Sequence, residues 1–354
     1  MRHEREIMKA LVYKGPNKIS LEERPKPQIE KSTDCIIKIS KTTICGTDLH
    51  IIKGEVPTVA KGRILGHEGV GTIEAVGNAV SNFQVHDKVL ISCITSCGKC
   101  AYCKKQMYSQ CEVGGWLLGN KIDGTQAEYV RIPFADTSLH AIPSNVDEDL
   151  ICLFSDVLPT GYETGVLKGK IKLGDKVAII GAGPVGLAVL LTAQFYSPSE
   201  IVVVDKDNFR LEVAKLQGAK VTINDDGNDV IERVLEMTNQ KGFDIVIEAV
   251  GKPETFETCQ AIVAPGGYIA NVGVHGKSVC LHLEKLWNQN ITITTGLVDT
   301  FSISTLLKTF AAGMLKPGVL ITHHFDLTNV IKAYEVFADA ANQHALKVIL
   351  ETHP

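Results

Sequence analysis

Four of the chain's ten cysteines lie within fifteen residues, in the stretch CGKCAYCKKQMYSQC at 97–111. Their spacing is C-x2-C-x2-C-x7-C, and four thiolates complete the tetrahedral shell of a zinc ion without leaving a position for a substrate. An iron–sulfur cluster also begins with C-x2-C-x2-C, but its motifs continue with a different spacing, and the sequence has no second cysteine run. The pattern therefore predicts a closed structural zinc site with these ligands: Cys97, Cys100, Cys103 and Cys111.

A glycine-rich stretch, GAGPVG at 181–186, has the G-x-G-x-x-G pattern of dinucleotide-binding loops. The strand pattern KVAII precedes it and the helix pattern PVGLAVLL follows it, which is the context that the motif requires. Glycines permit a tight turn and let a pyrophosphate approach the helix N-terminus, where backbone N–H groups favour anions. The pattern predicts a nicotinamide dinucleotide site that includes these residues: Gly181, Gly183, Pro184, Val185 and Gly186.

The next strand pattern, EIVVVDKD, ends in Asp205. At that position a carboxylate accepts hydrogen bonds from the adenosine ribose, and it repels the additional phosphate of NADP. The neighbouring cations Lys206 and Arg210 oppose this prediction, because a nearby cation can contact a phosphate. We give Asp205 more weight, since it lies closest to the ribose hydroxyl, and predict that the cofactor is NAD.

A closed zinc site performs no chemistry, but two other stretches carry residue types that bind a catalytic metal: CGTDLH at 45–50 and GHEGVG at 66–71. Cys45 and His67 offer a soft and a borderline ligand, and Glu68 adds a carboxylate. Taken singly, a cysteine is more often a small core residue and a histidine more often a hydrogen-bonded one. The residue types alone therefore leave both interpretations open.

Two kinds of element must position these motifs. Up to about residue 155 the chain is rich in short strand-like runs separated by Gly and Pro, such as CIIKISKTTI and DKVLISC, which predicts a β-rich domain with few helices. From about residue 160, five strand patterns alternate with helix patterns, from KVAIIGAG to ITITTGLV and SISTLLKTFAAGML. This alternation predicts an α/β fold with a doubly wound parallel sheet, a Rossmann domain.

The composition excludes several classes of partner. The 354 residues are 45% hydrophobic and 21% charged with a net charge of −4, which suits a globular protein of two domains. No block of Lys or Arg stands out, so we expect no nucleic-acid partner and no membrane partner. The start has no apolar segment, and ten cysteines without a secretory signal favour reduced thiols or metal ligands. We therefore expect a cytoplasmic protein.

The stretch GHEGVGTIEAVGNAV at 66–80 matches, at every defined position, the zinc signature G-H-E-x2-G-x5-G-x2-V of the medium-chain dehydrogenase/reductase family. ICGTDLH, the four-cysteine run and GAGPVG also fall in that family's order, so nearly the whole chain resembles a zinc-dependent alcohol dehydrogenase. The resemblance implies a β-rich, GroES-like catalytic domain at 1–157 and 298–354, with a structural zinc lobe at 93–112. It places an NAD-binding Rossmann domain at 158–297.

The resemblance also implies the ligands of a catalytic zinc. Cys45 and His67 resemble the first two ligands, and Glu68 resembles a nearby carboxylate that can enter the metal sphere. In the family the third ligand is a cysteine or an aspartate, at the position held here by Asp156. Cys152 lies four residues earlier, but the run PTGYE at 159–163 aligns Asp156 with the ligand position.

Further roles follow from the same resemblance. Thr47 resembles the hydroxyl residue that bonds the alcohol, and His50 resembles the end of a proton relay. Asp48 is interpreted as a turn or capping residue without chemistry. Lys347 resembles a basic residue near the cofactor pyrophosphate, although a solvated surface lysine is the alternative. The other cofactor contacts implied are Val250, Val272, Val274 and Leu297.

The function implied is hydride exchange between NAD and an alcohol, with two zinc ions per chain and an aldehyde or ketone as product. Cys93 corresponds to a pocket position that is often a bulky aromatic in relatives, so this small residue favours short-chain primary and secondary alcohols. Trp116 narrows the pocket or lies in the core. Polyol, butanediol and threonine dehydrogenases share these motifs and remain the alternative. The resemblance also implies a homo-oligomer, with a tetramer favoured over a dimer.

Two functions of a different class compete with this prediction. A zinc-ribbon nucleic-acid binder requires basic surroundings and no dinucleotide fold, whereas the net charge is −4 and GAGPVG is present. A catalytically inactive dinucleotide-binding protein would have a broken ligand set, whereas all four candidate residues are present.

Overall fold

The computed structural model describes residues 6–143, 146–227 and 229–353. Over these residues the chain forms fifteen strands, β1 to β15 in chain order: Ile7–Gly15, Lys18–Pro25, Cys35–Thr43, Gly69–Val76, Lys88–Ile91, Tyr129–Ile132, Leu139–Ala141, Lys176–Ile180, Glu200–Asp205, Val221–Asn224, Phe243–Glu248, Val263–Asn271, Thr292–Thr295, Ile321–Asp326 and Lys347–Glu351. The α-helices of the same residues, α1 to α12, are Gly46–Ile52, Ala135–Ser138, Glu148–Cys152, Val157–Thr160, Pro184–Ala193, Asn208–Leu216, Val230–Glu236, Pro253–Ile262, Leu283–Leu286, Ile303–Ala311, Val330–Ala338 and Ala340–Gln343. A π-helix, Gly161–Leu167, follows α4.

The chain divides into two compact units. The first comprises Met1–Asp156, Asp299–Leu307 and Ile321–Pro354, and the second comprises Val157–Val298 and Lys308–Leu320. This division differs from the predicted domains mainly in residues 308–320, which belong to the second unit, and by one residue at each of two boundaries, Val157 and Val298. The physical reason is packing: the 3-10 turn Pro317–Leu320 lies against α5 of the second unit.

The second unit contains a six-stranded, entirely parallel sheet in the order β10-β9-β8-β11-β12-β13. The predicted doubly wound α/β fold is therefore confirmed. The sequence prediction of five strand–helix repeats missed β10 and α7. The four residues of β10, VTIN, form an edge strand that pairs only with β9, so they carry little of the apolar pattern of a buried strand.

The apolar runs of the second unit explain its sheet. β8 (KVAII) and β9 (EIVVVD) are buried almost throughout, as expected for parallel strands that helices cover on both faces. The following helix α5 is equally apolar, and its residues from Gly186 to Ala193 are all buried. From β8 the chain adds β9 and β10 on one side and then crosses over to add β11, β12 and β13 on the other side. This reversal next to β8 opens a crevice at the carboxyl ends of the strands.

The first unit is built on a seven-stranded sheet in the order β14-β15-β3-β4-β5-β7, with β6 paired to β3. A separate hairpin pairs β1 with β2. The predicted β-rich texture and the predicted final strand KVILE are both present, the latter as β15. That last strand lies next to β3, with Ile349 opposite Thr43, so a strand from the end of the chain completes the sheet that contains β3.

No helix in the described part of the chain is long and apolar enough to cross a membrane.

Candidate metal centres and dinucleotide site

Three separate stretches of the first unit supply one candidate metal group. Cys45 is the N-cap of α1, where its backbone N–H donates to the Asp48 carboxylate over 3.0 Å. His67 and Glu68 directly precede β4, and Asp156 lies between α3 and α4. Helix and strand ends position ligands well, because the backbone leaves its regular hydrogen bonding there and lets side chains converge.

The four predicted ligands of the catalytic metal converge in the structure. One donor atom from each of Cys45, His67, Glu68 and Asp156 lies within 4.8 Å of every other. Asp156 Oδ2 lies 3.6 Å from the Cys45 Sγ and 3.4 Å from the His67 Nε2. A thiol, an imidazole and carboxylates at these separations form a donor set that suits zinc and spans one ion.

The charges of this group are strongly coupled. Burial raises the pKa of the Cys45 thiol, and the Asp156 charge raises it further. Burial lowers the pKa of His67, but its hydrogen bonds with Asp156 and Cys45 outweigh burial and hold the pKa well above the ordinary value. A divalent metal that binds such a group displaces the protons of the thiol and the imidazole. Its charge then balances the buried anions.

Glu68 is buried, and its partner corrects one prediction. Lys347 was predicted to contact a cofactor pyrophosphate or to be a solvated surface lysine. In the structure it is 2% exposed, and its Nζ lies 2.7 and 2.8 Å from the Glu68 oxygens and 3.2 Å from the Ile44 carbonyl. The surface interpretation is therefore wrong: Lys347 is buried and paired with Glu68, while its contact with a cofactor pyrophosphate stays a prediction. An ammonium this deeply buried requires an anion beside it.

Asp48 is a residue whose role the sequence analysis missed. The capping role is confirmed by its bond with the Cys45 N–H, but the side chain does more. Its Oδ2 also accepts a hydrogen bond from Gln126 Nε2 over 3.1 Å, and its Oδ1 lies 3.8 Å from the His67 Nδ1. The buried Asp48 carboxylate thus lies behind the His67 ring, at a separation longer than a hydrogen bond. The signal for it was its position three residues after Cys45.

The predicted relay residues lie on α1. Thr47 and His50 are separated by three positions, so they share a helix face, and both are partly exposed. His50 Nδ1 is hydrogen-bonded to the Glu55 carboxylate. Trp116 stands edge-on to the His67 ring with centroids 6.2 Å apart and packs against the core, which confirms its core interpretation, while its role in narrowing the pocket stays a prediction.

Cys93 lies beside the same group. It is 3% exposed, and its Sγ lies 3.6 Å from the Asp156 Oδ1. Cys152 is fully buried elsewhere, with its Sγ 3.9 Å from the Lys41 carbonyl oxygen. The group that could hold a metal thus contains Asp156 and not Cys152.

The four clustered cysteines form the second candidate metal group of the described residues, with all sulfurs within 4.8 Å of one another. The Cys97 and Cys103 sulfurs lie 3.9 Å apart. Backbone N–H groups of Cys103 and Glu112 lower the pKa of Cys100 to about 6. N–H groups aimed at sulfur stabilise the thiolate form, which is the form that binds zinc. The group therefore suits the closed zinc site predicted from its spacing.

This cysteine lobe is tied to the rest of the first unit by its own residues. Ser109 donates from both its N–H and its hydroxyl to the Asp299 carboxylate, over 2.8 and 2.6 Å. Thr95 and Gly115 exchange backbone hydrogen bonds of 3.0 and 2.6 Å. The lobe is thus anchored at two places, and loss of its metal should be transmitted to the unit.

Purified protein should contain two zinc ions per chain when no metal is added during preparation. The two groups differ in their donors, so they should bind independently, the four-thiolate group with no position left for a substrate. Elemental analysis against protein concentration measures the number. A reproducible value of one per chain, or iron with the absorbance of a cluster, would remove one of the two sites.

The variant Cys100→Ser should lower the thermal midpoint by roughly 5–10 °C, because structural zinc contributes free energy to folding. Differential scanning calorimetry measures the change, with Cys280→Ser as the matched control, since Cys280 is exposed and lies outside both metal groups. Equal midpoints for the two variants would contradict a structural role for the four cysteines.

The dinucleotide motif has the backbone geometry that the pattern predicts. Gly181 has a φ of +105°, in the region that favours glycine, and Gly183 is the N-cap of α5. A Cβ on Gly186 would lie 1.9 Å from the Gly181 carbonyl oxygen, so no larger residue allows this contact of strand and helix. Pro184 and Val185 open α5, as predicted. The N-terminus of α5, where backbone N–H groups favour an anion, directly follows this loop.

Asp205 ends β9 beside this loop. Its Oδ2 accepts a hydrogen bond from the Ala182 N–H over 2.6 Å, and its Oδ1 accepts one from the Asp207 N–H over 2.9 Å. The two cations nearby face carboxylates: Arg210 Nε lies 3.6 Å from Asp207, and Lys206 Nζ lies 3.9 Å from Asp225. The carboxylate is held in place by the loop that would carry the pyrophosphate.

The predicted apolar contacts lie just beyond later strands of the same sheet. Three of them are exposed, Val250 at 38%, Val274 at 58% and Leu297 at 43%, while Val272 is partly buried. Sequence analysis missed Glu248, which is fully buried and accepts hydrogen bonds from the N–H groups of Val250 and Gly251. It holds the loop after β11, on the side of the crevice where a dinucleotide binds.

Comparisons with known proteins agree with this architecture. Residues 31–144 match the model of the alcohol dehydrogenase GroES-like domain, and residues 184–311 match that of the zinc-binding dehydrogenases. An alcohol dehydrogenase from Cupriavidus necator is 33% identical, with 98% of this chain and 99% of the relative covered. A solved structure, zinc dependent alcohol dehydrogenase 2 from Streptococcus pneumonia, is 52% identical with a TM-score of 0.94, covering 98% of this chain and 99% of that one.

More distant relatives carry other names. Sorbitol dehydrogenase from Bacillus subtilis is 31% identical over 90% of this chain and 88% of its own length. NADP-dependent isopropanol dehydrogenase from Clostridium beijerinckii is 30% identical over 79% of this chain and 80% of its own length. Both family models match in the predicted order, and the Cupriavidus necator relative aligns over nearly the full length. The chain belongs to the zinc-dependent alcohol dehydrogenases of the medium-chain dehydrogenase/reductase family.

Proposed function

We propose that this protein transfers a hydride between a short-chain primary or secondary alcohol and NAD, reversibly, with an aldehyde or ketone as product. The observation that carries the proposal is the convergence of Cys45, His67, Glu68 and Asp156, a mixed donor set rather than a closed shell of thiolates. Such a set leaves a position for a substrate oxygen when only three of its members bind the metal.

A zinc ion held by Cys45, His67 and Asp156 supplies a Lewis acid for the substrate oxygen, and the dinucleotide supplies the hydride acceptor. Around it, the protein's own residues set the charge. The Asp48 carboxylate adds negative charge 3.8 Å from the His67 ring, and Lys347 balances the Glu68 carboxylate, which would otherwise be a buried unpaired anion.

The same short helix supplies a path for the substrate proton. In the proposal the Thr47 hydroxyl takes up the substrate proton as it gives up its own, and the proton released from it leaves by way of His50, on the same face of α1, to solvent. The Glu55 carboxylate bonds His50 Nδ1 and holds the ring in place, and the His50 side chain is 32% exposed, so a proton can be released to water.

His50→Ala should slow alcohol oxidation most near and below neutral pH and recover part of the rate at high pH, because hydroxide then replaces the lost base. The pH profile of kcat/KM measures this. His353→Ala is the matched control, since His353 is also paired with carboxylates but lies at the end of the chain with its side chain 69% exposed. A His50→Ala profile parallel to that of wild type would exclude His50 from proton transfer.

The substrate class rests on Cys93 and on the relatives. A cysteine beside Asp156 is small, which leaves room for a second substituent on the carbinol carbon. The isopropanol dehydrogenase relative favours secondary alcohols, and the sorbitol dehydrogenase relative favours the polyol alternative. A spectrophotometric screen of primary alcohols, secondary alcohols and polyols for NAD reduction separates the two. Binding of NADH without oxidation of any alcohol would favour an inactive dinucleotide-binding protein.

The remaining parts of the proposal concern the setting of the enzyme. All ten cysteines are free in the structure, which supports a reducing compartment and thus the predicted cytoplasmic location. The homotetramer is carried by the family resemblance alone and is measured by sedimentation of the purified protein.

A further inference from the structure

The two oxygens of the Asp156 carboxylate have different neighbours. Oδ2 faces the other ligands, 3.6 Å from the Cys45 Sγ and 3.4 Å from the His67 Nε2. Oδ1 faces Cys93, whose Sγ lies 3.6 Å away. A thiol donates a weak hydrogen bond, and a carboxylate oxygen accepts one. One oxygen is therefore directed to the metal group and the other to a side chain outside it.

The backbone holds Cys93 in this place. Its N–H donates to the carbonyl oxygen of Ser155, the neighbour of Asp156, over 3.1 Å. The Ser155 hydroxyl in turn accepts a hydrogen bond from the Gly69 N–H over 3.0 Å. Cys93 is only 3% exposed, so the thiol cannot swing away into solvent. The two segments that carry Cys93 and Asp156 are thus bonded to each other next to the contact.

This contact bears on the coordination number. A carboxylate binds a cation through one oxygen or through both. If both Asp156 oxygens bound, the carboxylate would take the position that a substrate oxygen needs. A cysteine ligand at the same place has one donor atom and raises no such question. An aspartate therefore requires something that a cysteine does not, namely a partner for its second oxygen.

We propose that Cys93 is a positioning residue for the catalytic metal: its S–H donates to Asp156 Oδ1 and leaves Oδ2 as the single ligand atom. The inference rests on the proposed metal group. It adds to the role of Cys93 as a small pocket residue, because the pocket needs only small size, whereas this role needs a donor. Partners of metal ligands affect both the affinity for the metal and the geometry at the metal.

The test uses Cys93→Ala, which removes the donor, and Cys93→Ser, which keeps one. The catalytic site is loaded with Co2+ while zinc stays in the four-cysteine site. Two quantities are measured, the metal dissociation constant by chelator competition and the visible d–d absorption of Co2+. We expect Cys93→Ala to weaken binding about tenfold and to reduce the visible absorption, as a higher coordination number does. Cys93→Ser should stay close to wild type in both.

Cys152→Ala is the matched control. Cys152 is as buried as Cys93 and lies four residues before Asp156, but its thiol bonds a backbone carbonyl instead of the Asp156 carboxylate. It should change neither quantity. Circular dichroism and retention of the structural zinc verify that each variant is folded. Equal results for Cys93→Ala and Cys152→Ala would overturn the inference, and so would a Cys93→Ser variant that behaves like Cys93→Ala.

A double-mutant cycle isolates the contact. In an Asp156→Cys background the second oxygen is gone, so adding Cys93→Ala should no longer change the Co2+ affinity. An unchanged tenfold loss in that background would show that Cys93 acts elsewhere. The cycle also separates this inference from the proposed function. If Asp156→Ala keeps its metal, the ligand set itself is wrong, whereas metal loss in Asp156→Ala with no effect of Cys93→Ala removes only the role of Cys93.

Discussion

Asp156→Ala should lose the catalytic metal, and with it at least about a thousandfold in kcat/KM for alcohol oxidation, since Lewis-acid stabilisation supplies several kcal/mol at the transition state. Asp156 is the residue whose oxygen lies within 3.6 Å of both the Cys45 sulfur and the His67 imidazole. Without it, Cys45 and His67 keep only Glu68 as a third donor. Steady-state kinetics and elemental analysis of the same preparation measure both losses.

Cys152→Ala is the control for this prediction. The two residues lie four positions apart, and in the sequence only the alignment of the run PTGYE favours Asp156 over Cys152 as the third ligand. Cys152 is completely buried and bonds the Lys41 carbonyl, so its replacement should cost some stability but leave one catalytic metal per chain and most of the turnover. Both variants should keep the structural zinc. If the phenotypes were exchanged, the third ligand would be Cys152.

NAD should exceed NADP by about a thousandfold in kcat/KM. The additional phosphate of NADP would approach the Asp205 carboxylate, and two like charges about 4 Å apart cost on the order of 4 kcal/mol at an effective dielectric constant of 20. The structure strengthens this expectation. Asp205 is held by the N–H groups of Ala182 and Asp207, so it cannot easily turn away from a phosphate. Added salt should reduce the discrimination.

The cations near Asp205 do not reverse the expected preference for NAD over NADP. Lys206 and Arg210 each face a carboxylate of their own, Asp225 and Asp207, so three acidic groups stand against two basic ones. The isopropanol dehydrogenase relative is NADP-dependent by name, so the family contains both solutions. The preference must therefore come from these local charges.

Asp205→Ser should narrow the preference by removing the repulsion, mainly through a lower KM for NADP. Asp226→Ser is the control, since Asp226 is an exposed aspartate that lies 3.8 Å from Arg233 in the same unit. Kinetics with both cofactors at two salt concentrations measure the change. Equal use of NAD and NADP by the wild type would show that the Asp205 carboxylate does not face the ribose.

Local patterns predicted the parts of the site that local chemistry determines. The four-cysteine group needs only its spacing, and the loop at Gly181 needs only a strand, glycines and a helix in succession. Cys45 and His67 could be named as ligands because a signature surrounds them, not because spacing placed them together. Their convergence with Asp156 depends on packing between segments that are distant in the sequence; Cys45 and Asp156 are 111 residues apart.

The residues that the sequence did not reveal act through contacts at long range. Lys347 neutralises Glu68 across 279 positions, and no pattern near either residue indicates the other. The position of Asp48 three residues after Cys45 indicated its role as a helix cap. It did not indicate that the other carboxylate oxygen lies beside His67. In the sequence, Glu248 is simply the last residue of an apolar strand. Only the folded loop brings the N–H groups that donate hydrogen bonds to its carboxylate.

The position of Lys347 in the last strand has a consequence for how the enzyme is made. All six strands of the second unit lie between residues 176 and 295, so their sheet can form while the rest of the chain is still being synthesised. The metal group cannot mature so early. Until β15 leaves the ribosome and inserts beside β3, Glu68 has no ammonium to balance it. The newly made protein should therefore bind dinucleotide before it acquires its catalytic metal. For the same reason, a chain that lacks its last few residues should bind the cofactor but have no catalytic activity.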